Sequence, residues 1–321
     1  MKALFAFVFA VLGVLSGPAR ADFPERPLKL VVPYLPGGSS DAFARTLAKA
    51  MERELGQPVI VENKPGANTS IASTAVARGA ADGYTLLLAS SASIVLNPLL
   101  YPKLAYSPER DFKLLALLAE VPLVLVTNDK VGTKTLSEFA AYARANAGRV
   151  NYASVGLGNP LQLATELLKS ELKFDATHIP YNGSATALTS LMAGDTQLML
   201  DIVGTSLPHI LSGKLKALAV TGDRRLKVLP DVPTVAEKEV PGFRAATWFG
   251  LVTHSGTPAP IAAKLQVTIR SIMRSEEFKA LVEAQTLVEQ PQRSDQEIAA
   301  YVARDRDTWG KVIRSRNIVL E

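Results

Sequence analysis

The sequence predicts an α/β protein of two lobes, each a mostly parallel sheet flanked by helices, with a ligand cleft between them. Three observations predict it. Short β-branched apolar runs alternate with longer amphipathic stretches, the pattern of parallel strands joined by right-handed crossovers. That pattern occurs twice in tandem, in a chain too long for one core. The final elements are too few for a third core and are expected to rejoin the first lobe, which makes a double crossing and a natural hinge.

In the first unit, residues 28–33 (LKLVVP) read as a buried strand and 40–55 as an amphipathic helix stopped by Gly56. Residues 58–62 (PVIVE) form the next strand, 70–80 a helix and 85–89 (TLLLA) a third strand. The second unit opens with a strand at 123–127 (LVLVT) and a helix at 136–147 that Gly148 ends. Strands at 150–153, 176–180, 198–201 and 215–220 follow, with helices at 160–172 and 185–193. The proline-dense stretch 229–241 continues neither element type. A strand at 247–253 and helices at 259–275 and 294–315 complete the chain. The crossings fall at Glu120-Val121-Pro122 and Ala246-Thr247-Trp248. Residues 22–121 with 247–321 are therefore expected to make one lobe, and 122–246 the other.

Residues 1–21 read as a cleavable signal peptide. Lys2 supplies the positive start, residues 3–16 the apolar run, and Ala19-Arg20-Ala21 the small residues before cleavage at Asp22. The run is shorter than the roughly 20 residues a bilayer span needs. The expected location is the periplasm. The chain has no cysteine, which excludes disulfides, thiolate metal sites, cysteine nucleophiles and a lipid-modified cysteine anchor. Net charge is +5, falling to +3 without Lys2 and Arg20, and is scattered; this is no nucleic-acid footprint and only a weak bias toward anions. A monomer is expected.

Ligands of open α/β sheets bind at the carboxyl ends of strands, on the turns into helices. The first such turn runs from Tyr34 and Leu35 through Gly38 and Ser39 to Asp41. Its glycines allow close backbone approach, and free amides at a helix start attract a carboxylate, although an ordinary capped turn would look the same. Asp41 suits either a dipole-stabilising acid paired with Arg45 or a contact to a ligand amine or hydroxyl. The second turn carries Ser90, Ser91 and Ser93. The third runs Ser154-Val155-Gly156-Leu157-Gly158-Asn159-Pro160, and its Gly-x-Gly is too short for a dinucleotide fingerprint. One such loop from each lobe would clamp an anion. His178, His209 and His254 show no metal-ligand spacing, and no nucleophile elbow, Walker loop or obvious base for a loop serine is visible. No catalysis, metal or cofactor is expected.

Several motifs, in order, resemble one family. They are Phe23-Pro24-Glu25-Arg26-Pro27, the 33–41 turn, Val61-Glu62-Asn63-Lys64-Pro65-Gly66-Ala67, Asp82-Gly83-Tyr84-Thr85-Leu86-Leu87 and Asn97-Pro98. His178-Ile179-Pro180-Tyr181-Asn182-Gly183, residues 229–237 (LPDVPTVAE) and Gly256-Thr257-Pro258 continue the series. The chain resembles the Bug family, extracytoplasmic receptors of tripartite tricarboxylate transporters. The resemblance implies a periplasmic-binding-protein fold that takes dicarboxylates, tricarboxylates, acidic amino acids or aromatic acids, and delivers them to membrane permease subunits. Carried over by position, it adds Thr69, Ser70, Tyr181 and Asp201 to the ligand contacts, beside the loops at Tyr34, Ser90 and Ser154. The sequence departs from the family at Asn68-Thr69-Ser70-Ile71-Ala72, where Gly-Gly-Asn-Ile-Gly is usual, at Asn182, where lysine is common, and at Ala81, where proline is. Two rival readings are a sensor that presents its closed form to a kinase, and a periplasmic enzyme on the same scaffold.

Overall fold

The computed structural model describes residues 23–315 and 318–320, so the expected signal peptide lies outside the described residues. Strands are numbered in chain order. One sheet holds β1 (Leu28–Val32), β2 (Val59–Asn63), β3 (Thr85–Ser90), β4 (Phe112–Val121), β10 (Thr247–His254) and β11 (Val288–Glu289), in the order β11-β4-β10-β3-β1-β2. The other holds β5 (Leu123–Thr127), β6 (Asn151–Ser154), β7 (Thr177–Pro180), β8 (Leu198–Ile202) and β9 (Lys216–Val220), in the order β7-β6-β8-β5-β9.

The α/β layering is as the sequence predicts, but the sheets are mixed rather than mostly parallel. β1 pairs in parallel with β2 and β3, and β6 with β7 and β8, because helices connect these strands. β10 runs antiparallel to β3 and β4, and β5 antiparallel to β8 and β9. β5 and β10 enter their sheets without a helical crossover and each runs opposite to the parallel strand beside it, whereas β4, antiparallel to β10, keeps the sense of β1 to β3. Pro122 alone separates β4 from β5, and Val121 pairs with Thr247 where the returning strand begins. β4 and the two-residue β11 are the strands the sequence reading leaves unassigned. The β4 residues FKLLALLAEV are buried along most of their length, so no alternation marks them as a strand. The helix Val203–Leu211, which contains Pro208, is unassigned for a related reason: proline argues against a helix interior.

The helix Ser39–Leu55 buries Phe43, Leu47 and Met51 against the first sheet and ends at Gly56, whose φ of 69° gives the left-handed stop glycine tolerates best. Trp248, Trp309 and Ile313 join an apolar cluster that also holds Leu87 and Val95 of the first unit and Leu163 and Leu168 of the second. The last helix, Asp295–Ser315, thus packs on β4 and on the helix Pro160–Leu172.

Candidate functional site

At the carboxyl end of β1 the chain turns through Tyr34 into the helix Ser39–Leu55. Gly38 is its N-cap and supplies no side chain to cap it. The Gly38 carbonyl accepts the Ala42 N–H at 3.0 Å, so the amides of Ser39, Ser40 and Asp41 open from the first turn toward the strand end. Both oxygens of Asp41 are engaged by protein donors. Its Oδ2 accepts from the Gly37 amide and Arg45 Nε, both at 2.9 Å, and its Oδ1 from Asn63 Nδ2 at 2.9 Å. The Arg45 hydrogen bond is the largest cause that holds this carboxyl down at about 2. The ionised group therefore adds stability above the ordinary aspartate value of 3.8, and the contribution is lost as pH falls toward 2. Leu35 is 63 % exposed.

Tyr34 links this turn to the next. Its hydroxyl donates to Ser90 Oγ at 2.9 Å, and burial pushes it up to about 12. Ser90, Ser91 and Ser93 are fully buried. Ser93 Oγ closes a ring with the Ser90 backbone, and Ser91 Oγ lies 2.6 Å from Thr247 Oγ1. These hydroxyls knit the buried loop together. From Ser93 the bonding continues through Tyr106 to Asn97, and from Asn97 to Thr69 Oγ1 and the Asn68 carbonyl.

In the second sheet, Tyr181 N–H donates to the Ser154 carbonyl, and Tyr181 OH pairs with Ser190 Oγ at 2.5 Å. Asn159 caps the Leu161 amide at 2.9 Å, while the Gly158 amide donates to Gln162 Oε1. The helix Ser184–Ala193 follows β7 and starts at Gly183 with no side-chain cap, so its first amides are open as at Ser39. Ser154 has the histidine partner that the sequence conceals: its Oγ is 2.5 Å from His178 Nε2. That hydroxyl is wholly buried and also donates to the Gly156 carbonyl, and Tyr152 stacks on the imidazole, so the pair braces the loop. Burial lowers the His178 pKa.

Asp201, like Asp41, is turned into protein. Its Oδ1 accepts from Ser184 Oγ at 2.6 Å, and its Oδ2 from Thr205 Oγ1 at 2.6 Å and Ser206 Oγ at 2.7 Å. Burial raises its pKa. Asp201→Ala is expected to cost about 3 kcal/mol in urea denaturation, because Ser184 and Ser206 lose their acceptor. Asp201→Asn should cost clearly less, since it keeps an acceptor and removes the buried charge. Equal losses would mean that the hydroxyls need the charge itself.

The structure thus joins Tyr34 with Ser90, Ser93 with Thr69 through Tyr106 and Asn97, and Ser184 with Asp201. Ser70 is half-buried, with its backbone N–H donating to the Ala67 carbonyl, and Leu35 is left in solvent. Asn63, Asn68, Asn97 and Ser184, which sequence reasoning did not select, connect the loops. Asn63 and Asn97 lie inside quoted motifs, but nothing local tells which asparagine bridges loops. Among the described residues no group of His, Asp and Glu is arranged to hold a metal ion. Two larger surface depressions, of about 460 and 360 Å3, lie elsewhere. Lys169 of the first is paired with Glu166 and Asp175, and the second is a mainly apolar groove beside the last helix, so neither offers the open amides of the loops.

Residues 43–318 match the family model described as tripartite tricarboxylate transporter family receptor. The chain is 35% identical to Protein BugT of Bordetella pertussis over 98% of its own length and 97% of that protein's. It is similar to a Rhodopseudomonas palustris protein solved with adipate, with a TM-score of 0.85 and 31% identity over 93% of this chain and 99% of that one. It is also similar to MatC from Rhodopseudomonas palustris with bound malate, with a TM-score of 0.81 and 35% identity over 91% of this chain and 100% of that one. The chain belongs to the tripartite tricarboxylate transporter receptor family, the Bug proteins.

Proposed function

We propose that this chain is a periplasmic receptor that closes two lobes, residues 22–121 with 247–321 and residues 122–246, around a small carboxylate and delivers it to the permease of a tripartite tricarboxylate transporter. The observation that carries the reading is the pair of uncapped helix starts, at Ser39 after β1 and at Ser184 after β7, one from each sheet. Each presents several N–H donors and the positive end of a helix dipole, which favours an anion without a basic side chain. Asp41 and Asp201 are held by protein donors, so they need not oppose an incoming carboxylate. An acid with a carboxylate at each end would engage both starts. Adipate and malate, bound by the two Rhodopseudomonas proteins, are such acids and head the candidates. The receptor carries its cargo unchanged.

The test is a thermal-shift screen of the mature, ligand-stripped protein against malate, adipate, citrate, glutamate and aromatic acids. A ligand at a hundred times its dissociation constant should stabilise the fold by about 2.7 kcal/mol, which for this size raises the melting temperature by roughly 4 °C. A flat response across the panel from folded, ligand-free protein would overturn the carboxylate reading.

A further inference from the structure

The backbone at residues 67–69 is unusual for its composition. Ala67, Asn68 and Thr69 have φ of 45°, 45° and 74°, three successive non-glycine residues in the left-handed region. Such residues are rare singly and rarer in a row, and each persists only where its surroundings over-determine it. Here the surroundings are specific. Asn97 Nδ2 donates to the Asn68 carbonyl at 2.8 Å, and Asn97 Oδ1 accepts one hydrogen of Asn68 Nδ2 at 2.9 Å. This reciprocal pair fixes the orientation of the Asn68 side chain. The second hydrogen of the same Nδ2 goes to the Gly158 carbonyl at 3.0 Å, 90 residues along the chain in the loop after β6.

We propose that Asn68 is a latch across the cleft: its carboxamide ties the strained turn of the first lobe to the Gly158 carbonyl of the second and so sets the balance between open and closed forms. This rests on the two-lobed receptor reading. The bond exists only while the loops are together, so separation of the lobes must break it. The Arg244–Glu120 ion pair does not carry this role, because Glu120 lies at the crossing between the sheets, where opening requires little displacement. The left-handed turn is the device that aims the amide: a right-handed backbone at Asn68 would point its Cβ elsewhere. Asn68 is a positioning residue, acting on affinity through closure.

The absence of cysteine makes the test direct. Glu52→Cys and Glu171→Cys, both at exposed positions, would carry a fluorescent donor and acceptor on the two lobes, with or without Asn68→Ala or Asn68→Gly. Asn68→Ala removes the amide and keeps the strain, whereas Asn68→Gly removes both and should fold at least as well. Without any ligand, both variants should move the single-molecule distance distribution toward longer separations, by roughly three- to tenfold in the closed-to-open ratio, the effect of one hydrogen bond. Titration with malate and adipate should show a loss of affinity of up to the same factor. Unchanged distance distributions in both variants would overturn the latch, whatever their melting temperatures. If neither acid binds the parent protein while the distances still shift, the ligand reading fails and the latch stands.

Discussion

Ser39→Pro is expected to lower carboxylate affinity at least tenfold while leaving the fold intact. Ser39 is the first residue of its helix and follows Gly38, whose φ of −82° and ψ of 173° are extended. Proline is accepted at a first helical position, where the N–H has no intrahelical partner, and an extended preceding residue is what it requires. The substitution therefore deletes the open backbone donor together with the Ser39 hydroxyl and leaves the helix start in place. A hydrogen bond to a charged group contributes about 1.5–3 kcal/mol, so its loss should weaken binding by roughly ten- to a hundredfold, read by titration calorimetry with whichever acid the screen identifies. Asn159→Ala is the useful contrast, since it removes a side-chain cap at a helix start of the second sheet. It should cost about 1 kcal/mol in stability, with a much smaller effect on affinity. Unaltered affinity in Ser39→Pro, in a protein with normal melting behaviour, would remove this helix start from the site.

The largest expected loss of stability is that of Trp248→Ala, about 4 kcal/mol. Trp248 is 1 % exposed and sits opposite Glu120 where the returning strand β10 passes the crossing. Its Nε1 donates to Asp305 Oδ2 at 2.9 Å, and Trp309 Nε1 donates to Asp305 Oδ1 at 3.0 Å, so both tryptophans of the chain share one carboxylate. Burial raises the Asp305 pKa. Replacing the indole by a methyl group opens a cavity and leaves one buried oxygen without its donor. At about 1.5 °C for each kcal/mol the melting temperature should fall by roughly 6 °C. Trp248→Phe keeps most of the ring volume and isolates the hydrogen bond, with an expected cost of about 2 kcal/mol. Fluorescence of the remaining Trp309 reports whether the last helix is still docked. A loss below about 1.5 kcal/mol for the alanine variant would mean that the helix is anchored elsewhere.

The strand–helix–strand order was legible wherever a strand alternated with an amphipathic helix. Residues 28–33 and 85–89 read as strands because short apolar runs stand between turn residues, and the structure forms them at Leu28–Val32 and Thr85–Ser90. β4 was hidden because its covered faces leave no periodicity to read. The site was legible as loops but not as side chains. A serine after a strand is a visible donor, yet whether its hydroxyl serves a ligand depends on what stands beside it. Ser91 meets Thr247, 156 residues away, and Ser154 meets His178 across a parallel pair of strands. Asp41 illustrates both sides: its pairing with Arg45 one turn on was readable, whereas the Asn63 contact that fills its other oxygen was not.

The sequence by itself determined what depends on near neighbours: the tandem α/β pattern, the helix stop at Gly56 and the glycine-bearing turns that lead from strand ends into helices. These follow from side-chain period and backbone freedom within a few residues. The tertiary structure alone decided the mixed direction of the sheets, the inward turn of Asp41 and Asp201, and the bond from Asn68 to Gly158. Each of these is a contact between segments far apart in the chain, and only the folded packing, in which every buried polar group must find a partner, selects which groups remain free to meet a ligand.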